Sequence, residues 1–237
     1  SEFFGGEKAA VDPALCTGCG RCEQLCRFDA IHLVENTAEV NLYSCEGCGV
    51  CSHVCPAGAV RLLPDVAGKK ELYTGDRVFS TATLKMGRGN SGKLVTEVKK
   101  AMLKAAPPCE LAIVDGSPGI GCPVIASVNG MDLVLVVAEP SGSGISDLKR
   151  LCATAATLQV QLAVCVNKYD VSPQHTERIE TFCRQQGIAF VGKIPFDPMA
   201  VRAVNEGTTV VDIDCPAGRA VREIFAKLTA LLAERSI

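Results

Sequence analysis

Two cysteine runs limit what this chain can fold into. The first is Cys16-Thr-Gly-Cys19-Gly-Arg-Cys22-Glu-Gln-Leu-Cys26, and the second is Cys45-Glu-Gly-Cys48-Gly-Val-Cys51-Ser-His-Val-Cys55-Pro56. Both carry the spacing C-x2-C-x2-C-x3-C, and the second adds a proline. A disulfide framework has no reason to repeat a spacing, whereas a metal site does. Three thiolates spaced by two residues can wrap a cuboidal 4Fe–4S cluster from a single loop. The fourth thiolate then lies on a short helix pointing away and reaches the other cluster. The expected ligand sets are Cys16, Cys19, Cys22 and Cys55 for one cluster, and Cys45, Cys48, Cys51 and Cys26 for the second. Gly18, Gly20, Gly47 and Gly49 let the backbone bend around the inorganic cores and aim amide donors at their sulfurs. A pair of four-cysteine zinc knuckles is the competing use of such thiols, although zinc sites more often set two CxxC pairs far apart.

The runs form an internal repeat with a period of 29 residues. Each is followed by a short apolar stretch, Ala30-Ile31-His32-Leu33 and Ala59-Val60-Arg61-Leu62, which reads as one strand per half. Arg27 stands where the second run has Pro56, a difference that touches the turn and not the ligation.

With 24 basic against 26 acidic residues, bulk charge recruits neither nucleic acid nor an anionic membrane. No apolar run approaches the roughly 18–20 residues a membrane span needs. Ser1-Glu-Phe-Phe-Gly-Gly lacks the basic start and apolar stretch of a signal peptide. A cytoplasmic protein with no nucleic-acid partner and no membrane span is expected.

Composition changes after Pro64, so two domains are expected: residues 1–65, ferredoxin-like, and residues 66–237. Val66-Ala67-Gly68-Lys69-Lys70-Glu71 reads as a loop. Strands are expected at Arg77–Leu84, Leu111–Asp115, Leu133–Ala138, Leu162–Val166 and Ala189–Ile194. Amphipathic helices are expected from Ser91, around Ile145 to Leu151, after Pro173 as far as Gly187, and from Pro216. This alternation predicts an α/β fold with a doubly wound parallel sheet, whose ligands gather at the carboxyl ends of the strands. Three strand exits bear polar groups suited to a nucleotide: Asp115-Gly-Ser-Pro118-Gly119, Asn167-Lys168-Tyr-Asp170, and Pro195-Phe-Asp197. An aspartate followed by a Pro-Gly turn is how P-loop NTPases place an acid near Mg²⁺ and an amide near the γ-phosphate. Strand-end acids and amides also cap helices.

On these motifs the chain resembles the MinD/Mrp-type P-loop ATPases that carry an inserted two-cluster ferredoxin domain. Asp115-Gly-Ser-Pro118-Gly119-Ile-Gly-Cys122-Pro123 is similar to the family's Asp-x-Pro-Pro-Gly-x-x-Cys-Pro turn, with Ser117 in place of the first proline. Glu139-Pro140 and Asp147-Leu148-Lys149 match the next strand exit and helix. The resemblance implies ATP and Mg²⁺ as cofactors beside two 4Fe–4S clusters. Asp115 would be the catalytic residue organising metal and water, Gly119 would lie near the phosphates, and Asn167, Pro195 and Asp197 would border the base. It also implies coupling of ATP binding or hydrolysis to electron or cluster transfer, a redox or Fe–S acceptor protein as partner, and a homodimer or a related ATPase subunit. Asn167-Lys168-Tyr-Asp170 also reads as an NKxD motif, which makes GTP the second choice.

The family begins with a strand and a glycine-rich phosphate loop ahead of the ferredoxin insert, and here the chain starts about ten residues before that insert. A piece of a longer protein is the expectation, and a natural variant is the other account. ATPase activity is expected only if the phosphate loop is supplied. In the family that strand lies between the one ending at Asp115 and the one ending near Ala138. A gap, a strand supplied by a partner, or a shifted half-sheet is therefore expected here. The alternative function is a ferredoxin-type electron carrier whose sheet domain is a scaffold. Gly87-Arg-Gly-Asn-Ser-Gly92-Lys93-Leu94 nearly fits a P-loop, but Leu94 replaces the hydroxyl residue that ligates Mg²⁺. It reads as a glycine-rich helix start. Most of the remaining cysteines, Cys109, Cys152, Cys165, Cys183 and Cys215, read as core thiols, with Cys122 beside the nucleotide-facing turn as the exception.

Overall fold

The computed structural model describes residues Ser1–Glu234. The chain divides into two compact units, Ser1–Asp115 and Gly116 onward. In the first, β1 (Glu2–Val11) leads into the first cysteine loop and α1 (Arg21–Gln24). The hairpin β2 (Ile31–Val34) and β3 (Thr37–Val40) follows, then the second cysteine loop and α2 (Val50–Val54). The unit continues through β4 (Val60–Tyr73), β5 (Phe79–Leu84) and α3 (Ser91–Ala105).

The 29-residue repeat is realised as exchanged strands. β1 pairs antiparallel with β4, Val11 facing Val60, and β2 pairs antiparallel with β3, Ile31 facing Val40. Every one of these partners sits one period from its counterpart, so each half completes its ladder with a strand of the other half. The loops repeat too. Asp12 N–H donates to the Ala59 carbonyl at 2.8 Å, and Asn41 N–H donates to the Ala30 carbonyl at 2.7 Å. Gly18 and Gly47 both take left-handed backbone, with φ of 64° and 65°. A Cβ on Gly18 would press on the Asn36 carbonyl, and one on Gly47 would press on the Glu7 carbonyl, again one period apart. Only glycine fits either turn.

The expected boundary at residues 65/66 falls inside β4, and the segment from Val66 to Glu71 is strand where a loop was expected. Its charges are accommodated on the faces of the strand. Lys69 pairs with Glu71 at 2.6 Å, and Lys70 pairs with Glu97 of α3. The main chain is meanwhile held by β1 on one side and β5 on the other. The strand expected at Arg77–Leu84 is β5, an antiparallel partner of β4 and not a member of the parallel sheet. Phe3, Ala67 and Leu94 are buried together and pack α3 on this sheet.

The second unit holds α4 (Cys122–Val128), β6 (Leu133–Ala138), α5 (Gly142–Thr157), β7 (Gln161–Asn167), α6 (Pro173–Gln186), β8 (Ala189–Ile194), α7 (Pro198–Asn205) and α8 (Pro216–Ala233). Its strands form a parallel sheet in the order β6-β7-β8. Central β7 is buried on both faces. Val164 and Val166 pack against Ile145 and Leu148 of α5 and Ile179 and Cys183 of α6. The alternate residues Ala163 and Cys165 pack with Ile224 of α8. Helices on both faces explain why the strands read as unbroken apolar runs.

The strand expected at Leu111–Asp115 does not form. Leu111 and Ile113 are 42% and 75% exposed, and the segment pairs with no strand among the described residues. A single strand with nothing on either side leaves its backbone groups to water, so propensity alone does not hold it extended in a sheet. Among the described residues β6 is therefore an edge strand of the sheet, with β7 as its one partner.

Burial pushes the thiols of Cys165 and Cys183 up to about 11. An unfolded chain ionises them near the ordinary thiol value of about 8.5. Between those values the folded state holds protons the unfolded state has lost, so stability falls as pH rises, on the order of 2 kcal/mol per thiol. Guanidinium unfolding near pH 8 and at about pH 10.5 should show a steeper loss for the unaltered chain than for a Cys165→Ala/Cys183→Ala variant.

Candidate metal centre and strand-exit loops

The second cysteine run closes a cavity. Cys45, Cys48 and Cys51 line it together with Cys26 from the first run, along with Ala9, Ala30, Ile31 and Leu62. The cavity is small and opens partly to solvent. Cys45 and Cys51 are buried and Cys48 is exposed, and the first run repeats this with Cys22 buried and Cys19 exposed. Local backbone sets the loops. Gly20 and Gly49, each in left-handed conformation, stand immediately before α1 and α2, and Cys26, just beyond α1, reaches the cavity of the second run.

Backbone amides already aim at the sulfurs. Ala30 N–H donates to Cys26 Sγ at 3.4 Å, and its repeat counterpart Ala59 N–H donates to Cys55 Sγ at 3.3 Å. Cys45 Sγ accepts from Ala9 N–H at 3.5 Å and from Gly47 N–H at 3.4 Å. Burial pushes the Cys22 and Cys51 thiols up. Burial also pushes Cys55 up, but the N–H groups of Ala59, Ala57, Val60 and Gly58 outweigh it, and the net shift is downward. Four thiols lining one largely apolar cavity, with N–H donors on Cys26 and Cys45, fit a 4Fe–4S cluster, whose sulfurs accept such bonds. Among the described residues no group of three His, Cys, Asp or Glu closes on a single-ion site.

In the second unit the carboxyl edge of the sheet brings two of the expected nucleotide loops side by side. Asn167 is the last residue of β7 and is in register with Ile194, the last of β8, so Pro195 leaves the sheet next to it. Asp170 ties these exits, its Oδ1 accepting from Phe196 N–H at 2.8 Å. At the next exit Lys168 pairs with Glu139 at 3.0 Å, and these two residues line an open cleft with Pro140, Ser141 and Val171. Ser141 caps α5, its hydroxyl accepting from Gly144 N–H at 3.0 Å.

Asp197 stands at this edge as a cap. Its Oδ1 accepts from Met199 N–H at 3.0 Å and its Oδ2 from Ala217 N–H at 3.1 Å. The carboxylate therefore serves the starts of α7 and α8 at once. Those two amides, Ala217 first, hold its carboxyl below the usual carboxylate range. Asp115 is exposed and lies outside any strand, and Gly119 has φ of 87° with open space where a Cβ would stand. Cys122 is the exposed first residue of α4.

Lys93 of the P-loop-like segment is tied to β1. Its Nζ donates to the Phe4 carbonyl at 2.9 Å and lies over the Phe3 ring, while Asn90 donates to the Gly5 carbonyl. The segment works as a helix start. The double cap at Asp197 was not read from sequence, although an aspartate directly before Pro198 is the usual signal for a helix N-terminus.

Residues 9–62 match the family described as a 4Fe-4S dicluster domain. The chain is 31% identical over 215 residues to an uncharacterized protein of Methanocaldococcus jannaschii, covering 90% of this chain and 71% of that protein. It is 33% identical over 126 residues to an uncharacterized ATP-binding protein of the same organism, covering 50% of this chain and 46% of that one. It is 30% identical over 158 residues to an iron-sulfur cluster carrier protein of Pyrococcus furiosus, covering 60% of this chain and 54% of that one. The chain thus spans about half the length of the last two. Among the described residues no helix is long and apolar enough to cross a membrane. With the duplicated cysteine unit and the parallel sheet, these likenesses lead to one assignment: the chain belongs to the MinD/Mrp-type P-loop ATPase family, in the branch that carries an iron–sulfur domain.

Proposed function

We propose that this protein holds two 4Fe–4S clusters and passes single electrons through them to an acceptor protein, under control of a nucleotide bound at the sheet unit. The observation that carries the reading is the company Cys26 keeps: it lines one cavity with Cys45, Cys48 and Cys51. The first cluster would be held by Cys16, Cys19, Cys22 and Cys55, the second by that cavity set. When bound, the clusters supply one-electron chemistry. The chain's own part is to hold eight thiolates, to donate N–H bonds to their sulfurs, and to keep Cys22, Cys45 and Cys51 from water. Ligands drawn from two separate loops and half hidden in the core favour retention of the clusters, and so electron transfer over cluster donation.

The nucleotide reading is supported by the adjacency of Asn167 and Pro195 at the carboxyl edge and by the likeness to an ATP-binding relative. Asn167 and Pro195 would border the base. Asp115 and Gly119 would serve Mg²⁺ and phosphate where a phosphate loop is also present. Asp197 would shape the base pocket through the two helix starts it caps. A plain electron carrier with an inert sheet unit is the reading to be separated from this one.

Anaerobic iron and sulfide analysis should give about eight irons per chain. Cys26→Ser should damage the cluster of the second run; loss confined to the first run's cluster would reverse the pairing. For the nucleotide, MgATP should shift a cluster potential or the affinity for the acceptor in a chain that includes a phosphate loop. No shift in either quantity would leave the plain carrier. The same addition to residues 1–237 alone should bind only weakly, because Lys93 is already tied to β1.

A further inference from the structure

We propose that Lys8 makes the two cluster sites electrically unequal, so that the cluster of Cys26, Cys45, Cys48 and Cys51 is reduced before its repeat-related partner. This rests on the two-cluster reading above. The repeat supplies an internal comparison, since every position near one site has a counterpart 29 residues away near the other. Lys8 is half-buried on β1 and its ammonium donates to the carbonyl of Cys45. The counterpart of Lys8 is Thr37, which carries no charge.

Backbone donors stand at both sites, so they do not distinguish them. Cys45 Sγ accepts from Ala9 and Gly47, and Cys26 Sγ accepts from Ala30. In the first set the N–H groups of Ala59, Ala57, Val60 and Gly58 act on Cys55. A nearby cation and N–H donors both stabilise the extra negative charge of a reduced cluster and raise its potential. Arg27 and Glu46 adjoin the second set with opposite signs and are exposed; Arg21 and Glu23 flank Cys22 with opposite signs. Exposed charges are screened over about 8–10 Å, and a half-buried ammonium less so. Glu7 shares the face of β1 with Ala9, but it is exposed, and its charge is screened more than that of half-buried Lys8. Lys8 is thus a positioning residue, acting on the cluster through Cys45. Each reduction adds one electron from an external reductant such as dithionite, and no bond forms or breaks.

The test is an anaerobic potentiometric titration of the full chain, followed by electron paramagnetic resonance. Two one-electron waves are expected. Lys8→Gln should lower the higher wave by about tenfold in its reduction equilibrium, about 59 mV for a one-electron couple, and leave the lower wave in place. Lys8→Arg should keep both waves. Cys19→Ala removes an exposed ligand of the first site and should abolish or distort the lower wave, which identifies it. Thr37→Lys is the reciprocal variant: it should raise the lower wave and narrow the separation, and it decides the matter if Lys8→Gln fails to load iron. An unmoved higher wave in Lys8→Gln, or a Lys8→Arg shift equal to that of Lys8→Gln, overturns the inference while eight irons keep the two-cluster reading intact. Iron for one cluster only in the unaltered chain overturns both.

Discussion

The antiparallel pairing of β1 with β4 is the constraint on which the cysteine-bearing unit depends. A repeat of 29 residues, taken alone, is too short to bury a core of its own. Two copies solve this by trading strands, so that the first strand of one half lies against the second strand of the other. The trade fixes where the loops stand. It brings the turn at Gly47 against the Glu7 carbonyl and the turn at Gly18 against the Asn36 carbonyl, and neither turn tolerates a side chain there. It also puts Ala9 of β1 within reach of Cys45. The departure of Cys26 from its own loop into the opposite cavity follows the same exchange.

The sheet unit depends on a different arrangement, a central strand sealed between layers. β7 alternates its side chains between two helical faces, and this leaves only its carboxyl end open to chemistry. The groups there do two jobs. Asp170 and Asp197 hold loops and helix starts together through backbone amides, while Asn167 and the Pro195 turn remain at the rim. Cys215 adds to the same scaffolding, its Sγ accepting from Gly218 N–H at the start of α8.

What the sequence revealed follows from how local each signal is. The cysteine spacing, the left-handed glycines and the strands β6, β7 and β8 are carried by neighbours in the chain, and they were legible. The course of β4 through Lys69, Lys70 and Glu71 was not, because its charges look like a loop until Glu97 and the flanking strands are in place to receive them. Leu111 to Val114 has every local feature of a strand and is not one, because a strand is a property of its partners. The P-loop-like segment was read as a helix start because Leu94 lacks the hydroxyl, and it is one: its lysine has the right position in sequence and a different task in space.

The core of the cysteine unit is made of little more than alanine and cysteine. Ala9, Ala30 and Ala38 are packed with Cys22, Cys45 and Cys51, and only Ile31 and Val60 among the buried members carry branched bulk. Methyl groups bury little apolar area, and at about 25 cal/mol per Å² they contribute little cohesion. Around the cysteines, then, the ladders of β1 with β4 and of β2 with β3 carry much of the cohesion, and bulkier packing lies farther off where Phe3, Ala67 and Leu94 meet. Under the two-cluster reading proposed above, uptake of the inorganic groups and consolidation of the fold would be a single event, because binding free energy at such a site is also folding free energy.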